Sequence, residues 1–188
     1  MKKKLIVLDR DGVINEDSDD YIKSLDEYIP IPGSLEAISL LNKAGYTVVV
    51  ASNQSGIARG YFNLKTLEQM HGKLSSLLAD KGGKIDEIYF CPHSPDDHCD
   101  CRKPKPGLFL KILKDYSVEP HGIVVIGDSL KDLQVARAVG MVPMLVRTGK
   151  GAITEAALRD DEKLGEQFSD VKVFDDLAQA VEEVLDNE

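Results

Sequence analysis

The sequence of 188 residues lacks any long basic run that would offset its acidic balance. Lysine and arginine number 23 against 32 aspartate and glutamate residues, which gives a net charge of −9. Aromatic residues make up only 6% of the chain. Because nucleic-acid binding depends on clustered cations and on aromatic side chains placed among them, this composition argues against a nucleic-acid partner.

Long apolar segments are also absent. The apolar run Leu5–Leu8, which follows the N-terminal lysines, stops at Asp9, well short of the core of a secretory signal. No other apolar run is long enough to span a membrane. We therefore expect a cytoplasmic protein with no membrane partner.

The chain has only three cysteines, and all of them lie in the segment from Cys91 to Cys101. Such close spacing is a poor framework for disulfides and favours metal binding. With a histidine, three thiolates form the ligand set of a closed structural Zn²⁺ site. We predict Cys91, His93, Cys99 and Cys101 as ligands, because His98 adjoins Cys99 and would be strained. The alternative is a group of reduced structural thiols.

The rest of the composition is ordinary for a globular protein, with 43% hydrophobic and 29% charged residues. A chain of this length can bury a substantial core, so we predict a single domain over residues 1–188. We also expect it to act as a monomer.

Apolar runs rich in β-branched residues alternate with segments of helical periodicity. This alternation is typical of βαβ units and predicts an α/β fold: a three-layer, Rossmann-like sheet of mostly parallel strands with helices on both faces. The predicted strands are 5–8, 46–51, 85–90, 123–126, 142–146 and 171–174. The first two predicted helices start near Ser34 and Asn63, which can cap them. A third starts at Pro106, two more cover 130–139 and 154–164, and the last starts at Asp175 or Asp176.

Polar motifs follow several of these strands. Asp9-Arg10-Asp11-Gly12 follows the first strand, Ser52 follows the second, and the segment from Gly127 to Asp132 follows strand 123–126. Arg102-Lys103-Pro104 lies between the last two motifs. An Asp-x-Asp pair alone is usually a solvated turn. The ordered set is more informative, because ligands bind at the carboxyl ends of parallel strands.

Each residue type in this set meets a need of phosphoryl transfer. Mg²⁺ removes the repulsion between an attacking carboxylate and a phosphate, and Asp9 and Asp128 offer the oxygen ligands that it prefers. Lys103 and Ser52 offer a positive charge and a hydrogen-bond donor to the phosphate oxygens. Asp11 can protonate the leaving oxygen and later activate water.

These four motifs, in this order, resemble those of the haloacid dehalogenase superfamily over residues 5–147. The resemblance implies a Mg²⁺-dependent phosphatase that forms an aspartyl-phosphate. It implies Asp9 as nucleophile, Asp11 as acid and base, Ser52 and Lys103 as phosphate holders, and Asp9, Asp11 (through its backbone carbonyl) and Asp128 as magnesium ligands. Asp132 then either supports the site or is a surface residue in the first turn of a helix.

Many members of the superfamily carry a cap domain inserted between these motifs. Here 43 residues separate Asp9 from Ser52, and 51 separate Ser52 from Lys103. The predicted helices, strands and loops fill both intervals, so we predict a capless, open site. Specificity should then come from the loop 15–21 and the segment 91–103.

Within the superfamily, the chain is most similar to the D-glycero-D-manno-heptose 1,7-bisphosphate 7-phosphatases, with histidinol phosphatases as the neighbouring branch. The residues that carry this similarity are 8–15, 52–60, the Cys/His segment and 101–104. The similarity implies a small phosphorylated sugar as substrate and a role in heptose precursors of lipopolysaccharide or surface glycans. It implies substrate contacts by Asp17, Ser18, Asp19, Asp20, Tyr21, Asn53, Gln54 and Ser55, and recognition of the second phosphate by Arg102. Two departures are Ser52, where threonine is usual, and a short zinc segment.

A binding module is the alternative from a different class. In that hypothesis the zinc segment and Arg10, Arg59 and Arg102 would grip a polynucleotide end, although the net charge argues against it. We interpret His71, His121 and the acidic run 160–162 as surface features.

Overall fold

The computed structural model describes residues 4–187, which form a six-stranded sheet with helices packed against it. The strands are β1 (Leu5–Leu8), β2 (Thr47–Asn53), β3 (Glu87–Cys91), β4 (Val124–Gly127), β5 (Val142–Val146) and β6 (Lys172–Phe174). The helices are α1 (Ser34–Lys43), α2 (Leu64–Asp80), α3 (Gly107–Tyr116), α4 (Leu130–Val139), α5 (Gly151–Asp160), α6 (Glu162–Gln167) and α7 (Leu177–Asp186), with a short 3₁₀ helix at Pro95–Asp97.

The sheet has the strand order β3-β2-β1-β4-β5-β6, and all its pairings are parallel. Strand β1 is central, and all four of its residues are buried. Its apolar, partly β-branched sequence suits a strand covered on both faces. Because the chain order reverses between β1 and β4, the crevice at their carboxyl ends is the expected ligand site of such a fold.

Helices cover both faces of the sheet and make the predicted three layers. The apolar sides of α1, α2 and α7 pack on one face, in a core that includes Ile6, Leu8 and Val48. Helices α3 and α4 pack on the other face, against Val7 and Val49. Alternate residues of one strand thus enter opposite cores, as the two-residue repeat of a strand requires. The predicted fold class is confirmed.

Most element positions agree with the sequence analysis to within a residue or two. The predicted bounds of the strand at 142–146 and the helix at 130–139 are confirmed, as is the Asn63 cap, whose side chain accepts from the Thr66 amide. Strand β2 continues to Asn53, so Ser52 lies inside the strand rather than after it. Strands β2, β3, β4 and β6 each begin one or two residues later than predicted.

Two predictions about helices were wrong. The single helix predicted for 154–164 is two helices, because Asp161 has an extended backbone and its carboxylate caps α6 through the amides of Lys163 and Leu164. Ser34 is the first residue of α1 rather than its cap, and its hydroxyl donates to the Ile14 carbonyl. The cap position is taken by Gly33, whose φ of 84° suits a glycine.

The intervals between the motifs contain only the elements already named. Helix α1, loops and most of β2 occupy the chain between Asp9 and Ser52. Helix α2, β3, the 3₁₀ helix and loops occupy the chain between Ser52 and Lys103. Within residues 4–187, neither interval therefore contains a further domain. Among residues 4–187, no helix combines the length and apolar character that crossing a bilayer requires.

Candidate active site

A cleft of about 540 Å³ lies at the carboxyl edge of the sheet, where β1, β2 and β4 end. Its volume is in the range of ligand pockets in proteins. Its lining includes five predicted catalytic or magnesium residues, Asp9, Asp11, Ser52, Lys103 and Asp128. The structure thus brings together side chains that are up to 119 positions apart in the sequence.

Lys103 is the centre of a buried ion cluster in this cleft. Its ammonium lies 3.0 Å from Asp9 Oδ1 and 2.6 Å from Asp132 Oδ1, and it donates to the Ala51 carbonyl at 2.8 Å. Lys103 is 2% exposed and Asp132 is 1% exposed. The surface alternative for Asp132 is therefore wrong. Its side chain holds the lysine, and its other oxygen accepts from the amide and hydroxyl of Ser129.

Charge and burial oppose each other in this cluster. Burial alone lowers the pKa of Lys103, but Asp132 and Asp9 outweigh it and hold that pKa above the ordinary value. Burial raises the pKa of Asp9 to about 7, with Lys103 acting against the rise and Asp132 and Asp11 adding to it. One lysine therefore does not fully compensate the buried carboxylates.

Asp128 completes the acidic side of the cleft. Burial and then repulsion from Asp9 and Asp132 raise its pKa to about 8. Its carboxylate accepts from the Lys150 amide at 2.8 Å. A Cβ atom at Gly12 or Gly149 would collide with this carboxylate, and both glycines have a positive φ. Glycine at these two positions lets the loops after β1 and β5 close around Asp128.

The donor set fits a divalent cation. Carboxylate oxygens of Asp9, Asp128 and Asp132 lie within 4.8 Å of one another. Because both Asp132 oxygens already accept from Lys103 or Ser129, Asp9 and Asp128 have the oxygens that remain for a metal. Burial is the largest cause of the raised pKa of each of these two carboxyls. Hard oxygen ligands of this kind suit Mg²⁺.

Asp11 is held by a network of donors. The side chain of Arg10, 0% exposed, donates to both Asp11 oxygens at 2.8–3.0 Å. Asn15 Nδ2 and Gln54 Nε2 also donate to Asp11, each at 2.8 Å. Sequence reasoning gave Arg10 a role only in polynucleotide binding, and its burial removes it from any such surface.

Two residues predicted to contact the substrate have amide groups that already bond inside the protein. Gln54 Nε2 donates to Ser52 Oγ as well as to Asp11. The Asn53 side chain pairs with the backbone of Lys103 in both directions, at 3.0 and 3.1 Å. These contacts position Asp11, Ser52 and Lys103. Ser55 also lines the cleft.

The predicted substrate loop forms one wall of the cleft. Asp17, Ser18, Asp19 and Tyr21 line it, whereas Asp20 is exposed and is not among the lining residues. The Tyr21 ring packs against Tyr61, with centroids 5.0 Å apart.

Sequence reasoning missed two cleft lysines, Lys131 and Lys150. The Lys150 ammonium lies 3.7 Å from Asp17 and 3.5 Å from Asp19. A signal for Lys131 was present, because it lies within the 127–132 motif. Lys150 follows β5 in an Arg-Thr-Gly-Lys-Gly segment that could have been interpreted as a loop at the site.

The cysteines form a second cluster beside the cleft. The sulphur atoms of Cys91, Cys99 and Cys101 are 3.1–3.5 Å apart, and His93 Nδ1 lies 3.3 Å from the Cys101 sulphur. The four predicted ligand atoms thus converge, while His98 stays outside this group. Arg102 Nη1 donates to the His93 carbonyl at 3.3 Å, which links the cluster to the cleft.

The remaining predictions about surface residues have mixed outcomes. His121 and residues 160–162 are exposed, as expected. His71 is only partly exposed, and its Nε2 lies 3.5 Å from Arg10 Nη1. Burial and then Arg10 lower its pKa to about 4, so it is neutral at physiological pH. Its position four residues after buried Leu67 in the helical repeat was the signal.

Comparisons with known proteins agree with this geometry. A HAD-hydrolase-like family model matches residues 100–180. The D-glycero-beta-D-manno-heptose-1,7-bisphosphate 7-phosphatase of Pseudomonas aeruginosa is 54% identical over 98% of this chain and 99% of its own length. The phosphatase of the same name from Pasteurella multocida is 38% identical over 90% of this chain and 95% of its own.

Two solved structures are also similar. The D,D-heptose 1,7-bisphosphate phosphatase of Bordetella bronchiseptica, complexed with magnesium and phosphate, matches with a TM-score of 0.91 and 48% identity, over 98% of this chain and 99% of that one. The enzyme of Burkholderia thailandensis matches with a TM-score of 0.74 and 43% identity, over 97% and 99%. The chain therefore belongs to the haloacid dehalogenase-like hydrolases, in the family of the heptose bisphosphate phosphatases.

Proposed function

We propose that this chain removes the 7-phosphate of D-glycero-D-manno-heptose 1,7-bisphosphate through a phosphorylated Asp9. The observation that carries the proposal is the buried cluster in which Asp9 lies 3.0 Å from the cation of Lys103 and within 4.8 Å of the carboxylate of Asp128. Such a cluster suits a nucleophile that must approach an anionic phosphate.

The first step forms a bond between an Asp9 oxygen and phosphorus and breaks the bond between phosphorus and the sugar oxygen. Lys103 and the Ser52 hydroxyl bind the phosphate oxygens while charge moves between them. Asp9, Asp128 and the backbone carbonyl of Asp11 would hold Mg²⁺. When bound, the metal neutralises carboxylate and phosphate charge.

Asp11 handles the protons of both steps. It gives a proton to the departing sugar oxygen, and it then takes one from the water that attacks the phosphoryl group on Asp9. The five donor contacts from Arg10, Asn15 and Gln54 fix its position. In this proposal Gln54 and Asn53 act through Asp11, Ser52 and Lys103, which revises their predicted role as substrate contacts.

The sugar lies between the loop 17–21 and Ser55, with the second phosphate near Arg102. The Arg102 guanidinium has no carboxylate partner among residues 4–187, so it is free to pair with an anion. A guanidinium suits this role because it can bind phosphate with two parallel hydrogen bonds.

The cysteine cluster is a structural Zn²⁺ site in this proposal. Two sulphurs on a tetrahedral zinc are about 3.8 Å apart, given bonds of about 2.3 Å, which is close to the separations in the cluster. Four protein ligands leave no position for substrate. The metal would fix the segment that carries Arg102 and Lys103.

Domain number, oligomeric state and cellular location are part of the same proposal. We infer a single capless domain that acts as a monomer on a small sugar phosphate in the cytoplasm, where reduced thiols are available to a metal. Light scattering at working concentration tests the monomer.

The decisive experiment compares kcat/KM for heptose 1,7-bisphosphate and heptose 7-phosphate in the parent and in Arg102→Ala. If the second phosphate contributes about 1.5–3 kcal/mol, the parent should prefer the bisphosphate by roughly ten- to a hundredfold. Arg102→Ala should lose most of that preference and still hydrolyse simple monoesters slowly. Equal kcat/KM for the two substrates in the parent would remove the case for a bisphosphate substrate. Faster turnover of histidinol phosphate would assign the chain to the neighbouring histidinol phosphatases.

A further inference from the structure

Lys131 is a cleft residue whose charge has no partner. It is the second residue of α4, it is exposed, and it lines the cleft together with Arg102 and Lys103. Its ammonium makes no hydrogen bond or ion pair with any other residue in the range 4–187. Most surface lysines are free in this way, so the surroundings of Lys131 decide whether the observation matters.

Those surroundings are unfavourable to a cation. The first turn of a helix carries the positive end of its dipole, where acidic rather than basic residues are stabilising. Partial burial lowers the pKa of Lys131, and repulsion from Arg102, Lys150 and Lys103 lowers it further, against only one acid, Asp132. Arg102, Lys103, Lys131 and Lys150 thus line one cleft, and the other three cations repel the Lys131 ammonium.

The other three cations of the cleft differ in whether a carboxylate lies at salt-bridge distance. Lys103 binds Asp9 and Asp132, and Lys150 lies near Asp17 and Asp19. Arg102 bonds to a backbone carbonyl only. Within the described chain, Arg102 and Lys131 are therefore the two cleft cations that face no carboxylate at salt-bridge distance.

We propose that Lys131 binds the second phosphate of the substrate together with Arg102 and is a specificity-determining residue for bisphosphates. This inference rests on the proposed function and adds a second cation to the distal phosphate site. A phosphate dianion carries enough charge for both, with the planar guanidinium giving direction and the ammonium acting as a point charge.

The test uses Lys131→Gln, which leaves a polar side chain one atom shorter and removes the charge. We expect kcat/KM for heptose 1,7-bisphosphate to fall about tenfold, mainly through KM, since a contact made equally in the ground and transition states changes KM. The value for heptose 7-phosphate should change less than about twofold. Added salt should weaken the bisphosphate preference more in the parent than in Lys131→Gln, because salt screens charges.

Three further variants separate this role from general effects. Lys131→Arg keeps the charge and should retain most of the preference. Lys65→Gln removes a lysine from the same position of α2, exposed and outside the cleft, and should change neither substrate. The double variant of Arg102→Ala with Lys131→Gln should lose less than the sum of the single losses in free energy, because both cations contact one phosphate.

The outcomes distinguish the inference from the proposed function. If the parent prefers the bisphosphate and Lys131→Gln keeps that preference in full while Arg102→Ala loses it, the inference is overturned and the function stands. Equal losses on both substrates in Lys131→Gln overturn the inference as well, since the residue then acts on the reacting phosphate. A parent without any bisphosphate preference overturns both.

Discussion

Replacing Asp132 with asparagine tests the buried ion cluster most sharply. Asp132 Oδ1 lies 2.6 Å from the Lys103 ammonium, and its Oδ2 accepts from the amide and hydroxyl of Ser129. An asparagine has one acceptor oxygen, so Asp132→Asn cannot serve both sides. One side must face an amide NH₂ group instead, and the lysine loses an ionic partner in either case.

The expected size of the effect follows from burial. Removing one partner of a buried ion pair costs about 3–5 kcal/mol. Asp132 also helps to raise the pKa values of Asp9 and Asp128, so losing its charge relieves some repulsion. We therefore take the lower end, about 3 kcal/mol. For a chain of this size that corresponds to a fall in Tm of about 6–12 °C.

The assay is thermal unfolding with kcat/KM measured on the same preparations. Ser129→Ala is the control, because it removes the capping hydroxyl and leaves the ion pair, and it should cost only about 1 kcal/mol. Asp132→Asn should also lower kcat/KM at least tenfold, since Lys103 would be less well positioned on the phosphate. A fall in Tm no larger than that of Ser129→Ala, with activity unchanged, would refute the role given to the cluster.

Three further predictions concern the metals and the nucleophile. Elemental analysis of protein prepared under reducing conditions should find one Zn²⁺ per chain, lost in Cys101→Ser together with some phosphate affinity; absence of zinc from the parent contradicts the site. Burial raises the pKa of Asp9 to about 7 and of Asp128 to about 8, so the folded, metal-free chain keeps protons that the unfolded chain releases. Its stability should therefore fall as pH rises from about 4 to about 8, and the gain in Tm with Mg²⁺ should grow over the same range; an equal gain at about pH 6 and about pH 8 contradicts this. Asp9→Asn should fold normally and lose more than about a thousandfold in kcat, because an amide does not attack phosphorus; a loss below tenfold removes Asp9 as nucleophile.

The sheet could be predicted because its signals are local. Strands such as β1 and β5 are short apolar runs bounded by polar or glycine residues, and a parallel sheet buries both faces of them. Asp9 and Asp128 could be placed at one edge for the same reason, since each comes at or just after the end of a strand. The boundary between α5 and α6 was missed because it depends on a single cap at Asp161.

The role of Arg10 could not be predicted from its neighbours. Between two aspartates in a loop, an arginine is expected to be solvated. Its burial depends on partners distant in the sequence, Gln54 just after β2 and His71 on α2, which come near only when the sheet forms. The internal hydrogen bonds of the Asn53 and Gln54 side chains were missed for the same reason, because a motif shows residue types and not their partners.

Lys131 and Lys150 show a further limit. Each reaches the cleft from the start of a helix after a strand, and sequence alone does not show which side of that turn faces the substrate. The effect of each charge depends on neighbours that only the fold brings near. Lys131 is repelled by Arg102 and Lys103, whereas Lys150 lies near Asp17 and Asp19.

The central claim is that Asp9 carries the phosphoryl group during turnover. The most direct test is acid quenching of the Asp11→Asn variant soon after it is mixed with heptose 1,7-bisphosphate, followed by mass analysis of peptides. Asp11 protonates the leaving oxygen in the first step and activates water in the second, so the intermediate should accumulate in this variant if the second step is slowed more than the first. We predict one phosphoryl group on the peptide of Asp9, removed by hydroxylamine and absent when Asp9 is also replaced by asparagine. A phosphoryl group on another residue would contradict the account. So would turnover by Asp11→Asn and by the parent without a phosphorylated Asp9 peptide in either of these two proteins.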